Sequence, residues 1–209
     1  MTIGFIGSGN IGGNVARLAV AQGHDVVVSN SRGPETLADL VAELGPKARA
    51  GTAAQAAEAG DIVVVSVPFG RYREVPAGPL AGKVVIDTNN YYVQRDGEFP
   101  AVDAGEITEP ELLAEHVPGA KVVRAFNGIY AAQLLTDGLP AGDPNRRALP
   151  IAGDDAQAKQ AVTELLDSFG FAAVDAGPLS ASRKFRNGTP AYGPRGTAAE
   201  IQALLDKVQ

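Results

Sequence analysis

The residues with the clearest capacity for chemistry stand near the start of the chain: Gly7-Ser8-Gly9-Asn10-Ile11-Gly12, a G-x-G-x-x-G. Glycine at the first place permits a tight turn off a strand. At the second it lets backbone approach a pyrophosphate with no Cβ between them, and at the third it lets a helix pack close to a sheet. A pyrophosphate would then lie on the free N–H groups and positive dipole end of the helix that follows. Further along, Ser29-Asn30-Ser31-Arg32 ends a second apolar run, with no acid until Glu35. A carboxylate at that point accepts from a ribose 2′-hydroxyl, whereas a site for the phosphorylated dinucleotide lacks the acid and supplies an Arg. The Arg32 guanidinium can grip a phosphate bidentately and the Ser31 hydroxyl can donate as well, so the pattern predicts NADP(H) in preference to NAD(H). A helix cap at Ser31 or Gly33, ahead of Pro34, is compatible with that role.

Positioning these groups takes strands and helices in alternation. The glycine motif is weak by itself in a chain with 25 glycines among 209 residues, and its neighbours strengthen it. Thr2-Ile3-Gly4-Phe5-Ile6 suits a buried central strand. Asn10 to Gln22 carries Ile11, Val15, Leu18 and Ala19 at helical spacing, and a second strand begins at Asp25. The same patterning predicts a helix over Pro34 to Leu44, an edge strand over Ala48 to Gly51, and a helix over Thr52 to Ala59 capped by Thr52. Further strands are expected at Asp61 to Pro68, Lys83 to Asp87 and Ala120 to Phe126. The unbroken apolar run after Asp61 implies burial on both faces. Ser66, Val67 and Pro68 leave that strand at the carboxyl edge, where open α/β sheets bind ligands, and are candidates to line the cofactor groove.

Short helices are expected at Glu109 to His116 and Ile129 to Leu135, with a Gly/Pro/Asp-rich loop from Thr136 to Arg147. A strand at Ala148 to Ala152 follows, then a helix capped by Asp154 or Asp155, a strand at Phe171 to Val174 and a terminal helix over Thr197 to Val208. Tyr91 to Thr108 and Gly177 to Gly196 show no clean period, and irregular segments of that length are usually functional or mobile. The fold class is α/β: a doubly wound, mostly parallel Rossmann-type sheet with right-handed crossovers and a C-terminal β-α-β extension. Residues 1–209 are expected to form one domain, with 1–127 as the dinucleotide-binding core and 128–209 as the extension and terminal helix.

Composition removes several alternatives. Charged residues make up 20% and hydrophobic residues 45%, the balance of a globular chain. The absence of Cys excludes disulfides, thiolate catalysis, iron–sulfur clusters and cysteine zinc sites, and no metal site is expected. A formal net charge of −6 argues against a nucleic-acid partner. No run approaches the roughly 18 apolar residues of a membrane span, and Met1 runs directly into a strand, so a cytoplasmic protein with no membrane partner is expected. His24 and His116 lie away from the carboxyl edge, and an isolated His without a positioned partner is usually structural. Tyr91 and Tyr92 follow the end of a strand and are the catalytic candidates if the chemistry needs an acid. With Tyr192 they equally suit sealing the core under long loops or a dimer contact.

Taken together, Gly7-Ser8-Gly9-Asn10-Ile11-Gly12, Ser31-Arg32, Ser66-Val67-Pro68, Asp87-Thr88-Asn89, Lys121-Val122-Val123-Arg124-Ala125-Phe126-Asn127 and Ala152-Gly153-Asp154-Asp155 resemble the NADP oxidoreductase family that includes the coenzyme F-420-dependent NADP reductases. The NADPH-binding domains of membrane metalloreductases share this plan, and the likeness runs from Met1 to Pro178. The resemblance implies that Ser8, Gly9, Asn10 and Ile11 hold the pyrophosphate and that Ser31 and Arg32 hold the 2′-phosphate. It also implies that Val67, Pro68, Asn89, Ala125 and Phe126, with Asn127 beside them, border the nicotinamide side. The implied reaction is hydride transfer between NADPH and a flavin-like ring, a deazaflavin or flavin, which needs two rings in contact and no protein acid or base.

Tyr91 to Thr108 and Arg183 to Gly193 depart from the family pattern and give the chain the look of an uncharacterised branch. They leave the acceptor open between a deazaflavin, a flavin and a small carbonyl or imine reduced with a Tyr acid. A non-catalytic NADP(H)-binding redox sensor is the reading from another class. Relatives that add a helical domain build their second pocket by dimerising. This chain lacks that domain, so its own loops or a second subunit must complete the pocket, and a homodimer joined through the terminal helix is expected.

Overall fold

The computed structural model describes residues 1–208. Eight strands form one sheet in the order β3-β2-β1-β4-β5-β6-β7-β8. They are β1 (Thr2–Ile6), β2 (Asp25–Ser29), β3 (Ala48–Ala50), β4 (Ile62–Val65), β5 (Val84–Asp87), β6 (Lys121–Arg124), β7 (Ala148–Gly153) and β8 (Ala172–Asp175). Every neighbouring pair is parallel except β6 with β7, where the chain reverses before the last parallel pair, β7 with β8. The order reverses between β1 and β4, which places a crevice outside their carboxyl ends.

Nine α-helices accompany the strands among the described residues. They are α1 (Asn10–Ala21), α2 (Ala38–Leu44), α3 (Ala53–Ala59), α4 (Val93–Asp96), α5 (Pro100–Asp103), α6 (Glu109–His116), α7 (Ala131–Leu134), α8 (Ala156–Ser168) and α9 (Ala198–Leu205). Local sequence starts several of them. Thr52 and Gln55 form a reciprocal capping box before α3, and the Asp155 carboxylate accepts from the Ala158 N–H at 2.8 Å to open α8.

The sheet is covered on both faces, and alternation along each strand divides its side chains between them. Ile3, Phe5, Ile62 and Val64 join Val15, Ala16 and Ala19 of α1 in one core cluster. Ile6, Val63 and Val65 point the other way, into a cluster with Phe69, Tyr72, Leu80 and Leu113. Each Ile, Val or Phe side chain so buried contributes about 1.5–3 kcal/mol, and on β1 that gain fixes the strand end from which the glycine turn departs. A third cluster packs Ile201 and Leu205 of α9 against Ala148, Ala152 and Val174 of β7 and β8. The terminal helix therefore uses these apolar residues within its own chain.

Several expectations need correction. Pro34 to Leu44 is not one α-helix: a 3-10 turn at Pro34–Leu37 precedes α2, because Gly33, with φ 102, and Pro34 set up a tight first turn. Tyr91 to Thr108 contains α4 and α5, each a single turn and so too short to show a period. The Asp96 carboxylate accepts from the Tyr92 N–H at 2.9 Å, and Pro100 starts α5. Within Gly177 to Gly196, Leu179–Phe185 is 3-10 helical. The strand expected over Ala120 to Phe126 stops at Arg124, because Phe126 turns to φ 59, the left-handed region, while fully buried. A bulky residue there costs of order 1–3 kcal/mol and persists only where its surroundings hold it.

Candidate functional site

The glycine turn shows three different reasons for glycine. A Cβ on Gly7 would meet the Ser66 carbonyl oxygen at 2.1 Å, and φ there is +97. A Cβ on Gly12 would meet the Gly7 carbonyl oxygen at 2.2 Å, so helix and turn touch. Gly9 is unlike both: its φ is −75, open to any residue, and a Cβ there would meet nothing within 4 Å. Nothing inside the chain asks for glycine at residue 9, and the space in front of it suits a group brought from outside.

Gly9 is also the N-cap of α1. No side chain caps that end, and no acidic residue stands in its first turn, so the dipole and N–H groups face the turn unneutralised. The Ser8 hydroxyl donates to the Ser29 carbonyl at 2.8 Å and the Gly7 N–H donates to the same oxygen at 3.1 Å, tying the turn to the end of β2. Ser29 is itself buried, donating to the Phe5 carbonyl at 2.7 Å. These bonds fix the turn's backbone before any ligand arrives.

A cavity of about 300 Å³ opens at this place. Of the residues singled out from sequence, Gly7, Ser8, Gly9, Ser31, Arg32, Ser66, Val67 and Pro68 line it. The loop carrying Ser31 and Arg32 is prefolded: the Asn30 side-chain oxygen accepts from the Arg32 N–H at 2.9 Å, and the Asn30 amide donates to the Thr36 hydroxyl at 2.8 Å. Ser31 and Arg32 are exposed, and among the described residues the Arg32 guanidinium enters no ion pair. Asn10 faces a neighbouring shallow groove shared with Ser8, Gly9 and Arg32. Ile11 is half-buried against the core, and Gly12 is buried.

The remaining candidates lie deeper. Asn89, Ala125, Phe126 and Asn127 are all at most 3% exposed and do not line the cavity. Asn89 works from behind: its side-chain oxygen accepts from the Val67 N–H at 2.8 Å, holding the turn after β4. The Asn127 amide donates to the Phe185 carbonyl at 2.9 Å and so ties β6 to the tail loop. Tyr91 sits in an aromatic cluster with Phe69 and Phe99, and its hydroxyl donates to Asp103 at 3.2 Å. Desolvation, with the Asp103 charge behind it, raises its pKa. The hydroxyls of Tyr92 and Tyr192 bond each other at 2.9 Å. Burial, then the Tyr92 hydroxyl, pushes the Tyr192 phenol well above the ordinary tyrosine range. His116 bonds the Val75 carbonyl at 2.8 Å and does not itself line the cavity.

Sequence reading missed two features. Arg71 and Glu74 line the same cavity and pair at 2.8 and 2.6 Å. The 3-10 geometry of Phe69–Glu74 decides their orientation by aligning residues three apart. The second is a buried ion pair: Asp87 and Arg124 face each other in register across β5 and β6, 2.7 Å apart and each 1% exposed. Burial pushes the Asp87 carboxyl up, and the Arg124 charge and the Asn89 N–H oppose it. Asp87 thereby positions Asn89, and Asn89 positions Val67. Among the described residues no group of three or more His, Cys, Asp or Glu could hold a metal ion, and no helix is long and apolar enough to cross a membrane.

An open, mostly parallel sheet, a glycine turn from β1 into α1 and a cavity at the switch point define a Rossmann-type dinucleotide-binding protein. The model of the family described as NADP oxidoreductase coenzyme F420-dependent matches residues 2–91. A solved hypothetical protein from Sinorhizobium meliloti is 33% identical with a TM-score of 0.77, covering 94% of this chain and 93% of that one. A candidate F420-dependent NADP reductase from Arthrobacter is 26% identical with a TM-score of 0.75, covering 88% and 87%. Rat metalloreductase STEAP3 is 32% identical over 184 residues, which is 87% of this chain and 35% of that protein. The chain thus spans about a third of the length of the curated metalloreductases it matches. Residues 2–91 thus match the model of the NADP oxidoreductase coenzyme F420-dependent family, and over most of its length the chain shares the fold of the Sinorhizobium and Arthrobacter proteins.

Proposed function

We propose that this chain transfers a hydride between NADP(H) and a flavin-like ring, a deazaflavin or a flavin, stacked on the nicotinamide. The observation that carries the acceptor class is that both phenols at the carboxyl edge are engaged, Tyr91 with Asp103 and Tyr92 with Tyr192. A ring-to-ring hydride transfer needs no protein acid, whereas a carbonyl needs a proton for its developing alkoxide. The family's description names a deazaflavin coenzyme and supports the same choice.

In this reading NADP(H) supplies the hydride, and the chain binds and orients it. The backbone of Ser8, Gly9, Asn10 and Ile11 takes the pyrophosphate, with the open space at Gly9 as the support for close approach. Ser31 and Arg32 take the 2′-phosphate. Gly7, Gly12 and Ser66 shape the turn, while Val67 and Pro68 form the wall toward the nicotinamide. Asn89, Ala125, Phe126 and Asn127 hold that wall and the end of β6 from beneath. Residues 1–209 act as one unit, and a homodimer completes the second pocket.

Stopped-flow oxidation of NADPH against a panel of oxidised deazaflavin, oxidised FMN and simple carbonyls tests the acceptor. Turnover of a ring compound that survives Tyr91→Phe and Tyr92→Phe is expected. Turnover of carbonyls alone, abolished by one of those changes, would replace this reading with a carbonyl or imine reductase using a Tyr acid. Binding without turnover of any acceptor would favour a redox sensor. Sedimentation of the purified chain tests the dimer.

A further inference from the structure

Among the residues lining the cavity at the glycine turn, three carry charge: Arg32, Arg71 and Glu74. Glu74 is the single carboxylate among them, and an unpaired carboxylate would repel a phosphate. It is not unpaired. The Arg71 guanidinium donates to both of its oxygens, at 2.8 and 2.6 Å, in the fork geometry that carboxylate and phosphate share. That hydrogen-bonded pairing lowers the Glu74 pKa and raises that of Arg71, so both stay charged. Both side chains are about half exposed, at 48% and 59%, and an exposed pair of this kind holds its partners only weakly. Arg71 can therefore exchange one anion for another at small cost. Among the described residues Arg32, in the same cavity, has no ion-pair partner of its own, and Ala53 and Val75 supply apolar wall there.

We propose that Arg71 is a second guanidinium for the ribose 2′-phosphate, and that Glu74 is the internal anion which occupies it until the phosphate arrives. The inference rests on the reading of this cavity as the adenosine end of the NADP(H) site. It makes discrimination between NADPH and NADH the work of two arginines from different strand ends, one after β2 and one after β4. Glu74 keeps Arg71 oriented without becoming an acceptor for a ribose hydroxyl.

The test is titration of NADPH and of NADH, read by nucleotide fluorescence, on Arg32→Ala, Arg71→Ala, Arg71→Lys and Glu74→Gln, with thermal melting as the fold control. Arg71→Ala is expected to weaken NADPH at least tenfold and NADH less than twofold, with Arg71→Lys between it and the parent. Glu74→Gln is expected to tighten NADPH about twofold or more and leave NADH unchanged. Equal losses for both nucleotides in Arg71→Ala, or no loss for either, overturn the proposal, as does loss of NADH affinity in Glu74→Gln. If Arg32→Ala weakens NADPH while Arg71→Ala does not, only this inference falls. If Arg32→Ala also leaves NADPH binding untouched, the cavity is not the nucleotide site and the underlying reading falls with it. Should Arg71→Ala melt early, Arg71→Lys and Glu74→Gln carry the decision.

Discussion

Replacing Gly9 by Ala separates ligand space from protein space, because Gly9 and Gly12 sit three residues apart in the same turn and differ in what surrounds them. At Gly9 the φ of −75 suits alanine and the new methyl meets nothing within 4 Å. Relief of unfolded-state entropy favours the alanine by about 0.4–1 kcal/mol. Loss of a good N-cap residue costs roughly 0.5–1 kcal/mol. The two nearly cancel, so the melting temperature of Gly9→Ala should stay within about 3 °C of the parent at roughly 2–4 °C per kcal/mol. NADPH has no such freedom if its pyrophosphate uses that space. An overpacked contact costs typically about 1–3 kcal/mol, which is roughly a five- to 150-fold loss of affinity.

Gly12→Ala should behave in the opposite way. Its methyl would stand 2.2 Å from the Gly7 carbonyl and 3.2 Å from the Ser66 Cβ, so the penalty falls on the fold and the melting temperature drops by roughly 2–12 °C. Fluorescence titration with NADPH and differential scanning calorimetry on the two variants decide the matter. A Gly9→Ala protein that binds NADPH like the parent would refute the assignment of that space to the pyrophosphate. One that melts as early as Gly12→Ala would refute the structural account of the turn.

Arg124→Ala leaves the Asp87 carboxylate buried without its partner and should destabilise the chain by about 3–5 kcal/mol. The double change Asp87→Leu with Arg124→Leu should cost less than either single removal, as denaturant unfolding of the three variants would show. Asp137 provides a pH test. Burial works to raise its pKa, but hydrogen bonds from Arg147, Thr136 and Arg195 outweigh this and the pKa is lowered. A carboxyl lowered on folding adds stability above its unfolded pKa of about 3.9 and gives it up as pH falls through the folded value. The melting-temperature gap between parent and Asp137→Asn should therefore be full at neutral pH and close below about pH 4. A gap independent of pH would exclude that linkage.

Much of the architecture is local enough to be read from the chain. The apolar run from Ile62, the cap at Thr52 and the cap at Asp155 each act over a few residues, so strands, helices and their order follow from sequence. The glycine turn with Ser31-Arg32 was legible for the same reason: the motif's spacing is the geometry of one strand–turn–helix unit. Tertiary structure decided what depends on registers and crossovers. Asp87 and Arg124 stand 37 residues apart and become partners only because β5 and β6 align them on one pleat. Tyr92 and Tyr192, 100 residues apart, meet because two loops without periodicity close over the same strand ends. Glycine at residues 7, 9 and 12 looks alike in sequence. Only packing separates the two that the chain itself requires from Gly9, where the chain leaves room. Arg71 belongs with these: its type was visible, but the 3-10 turn and the switch-point cavity put it in the same pocket as Arg32.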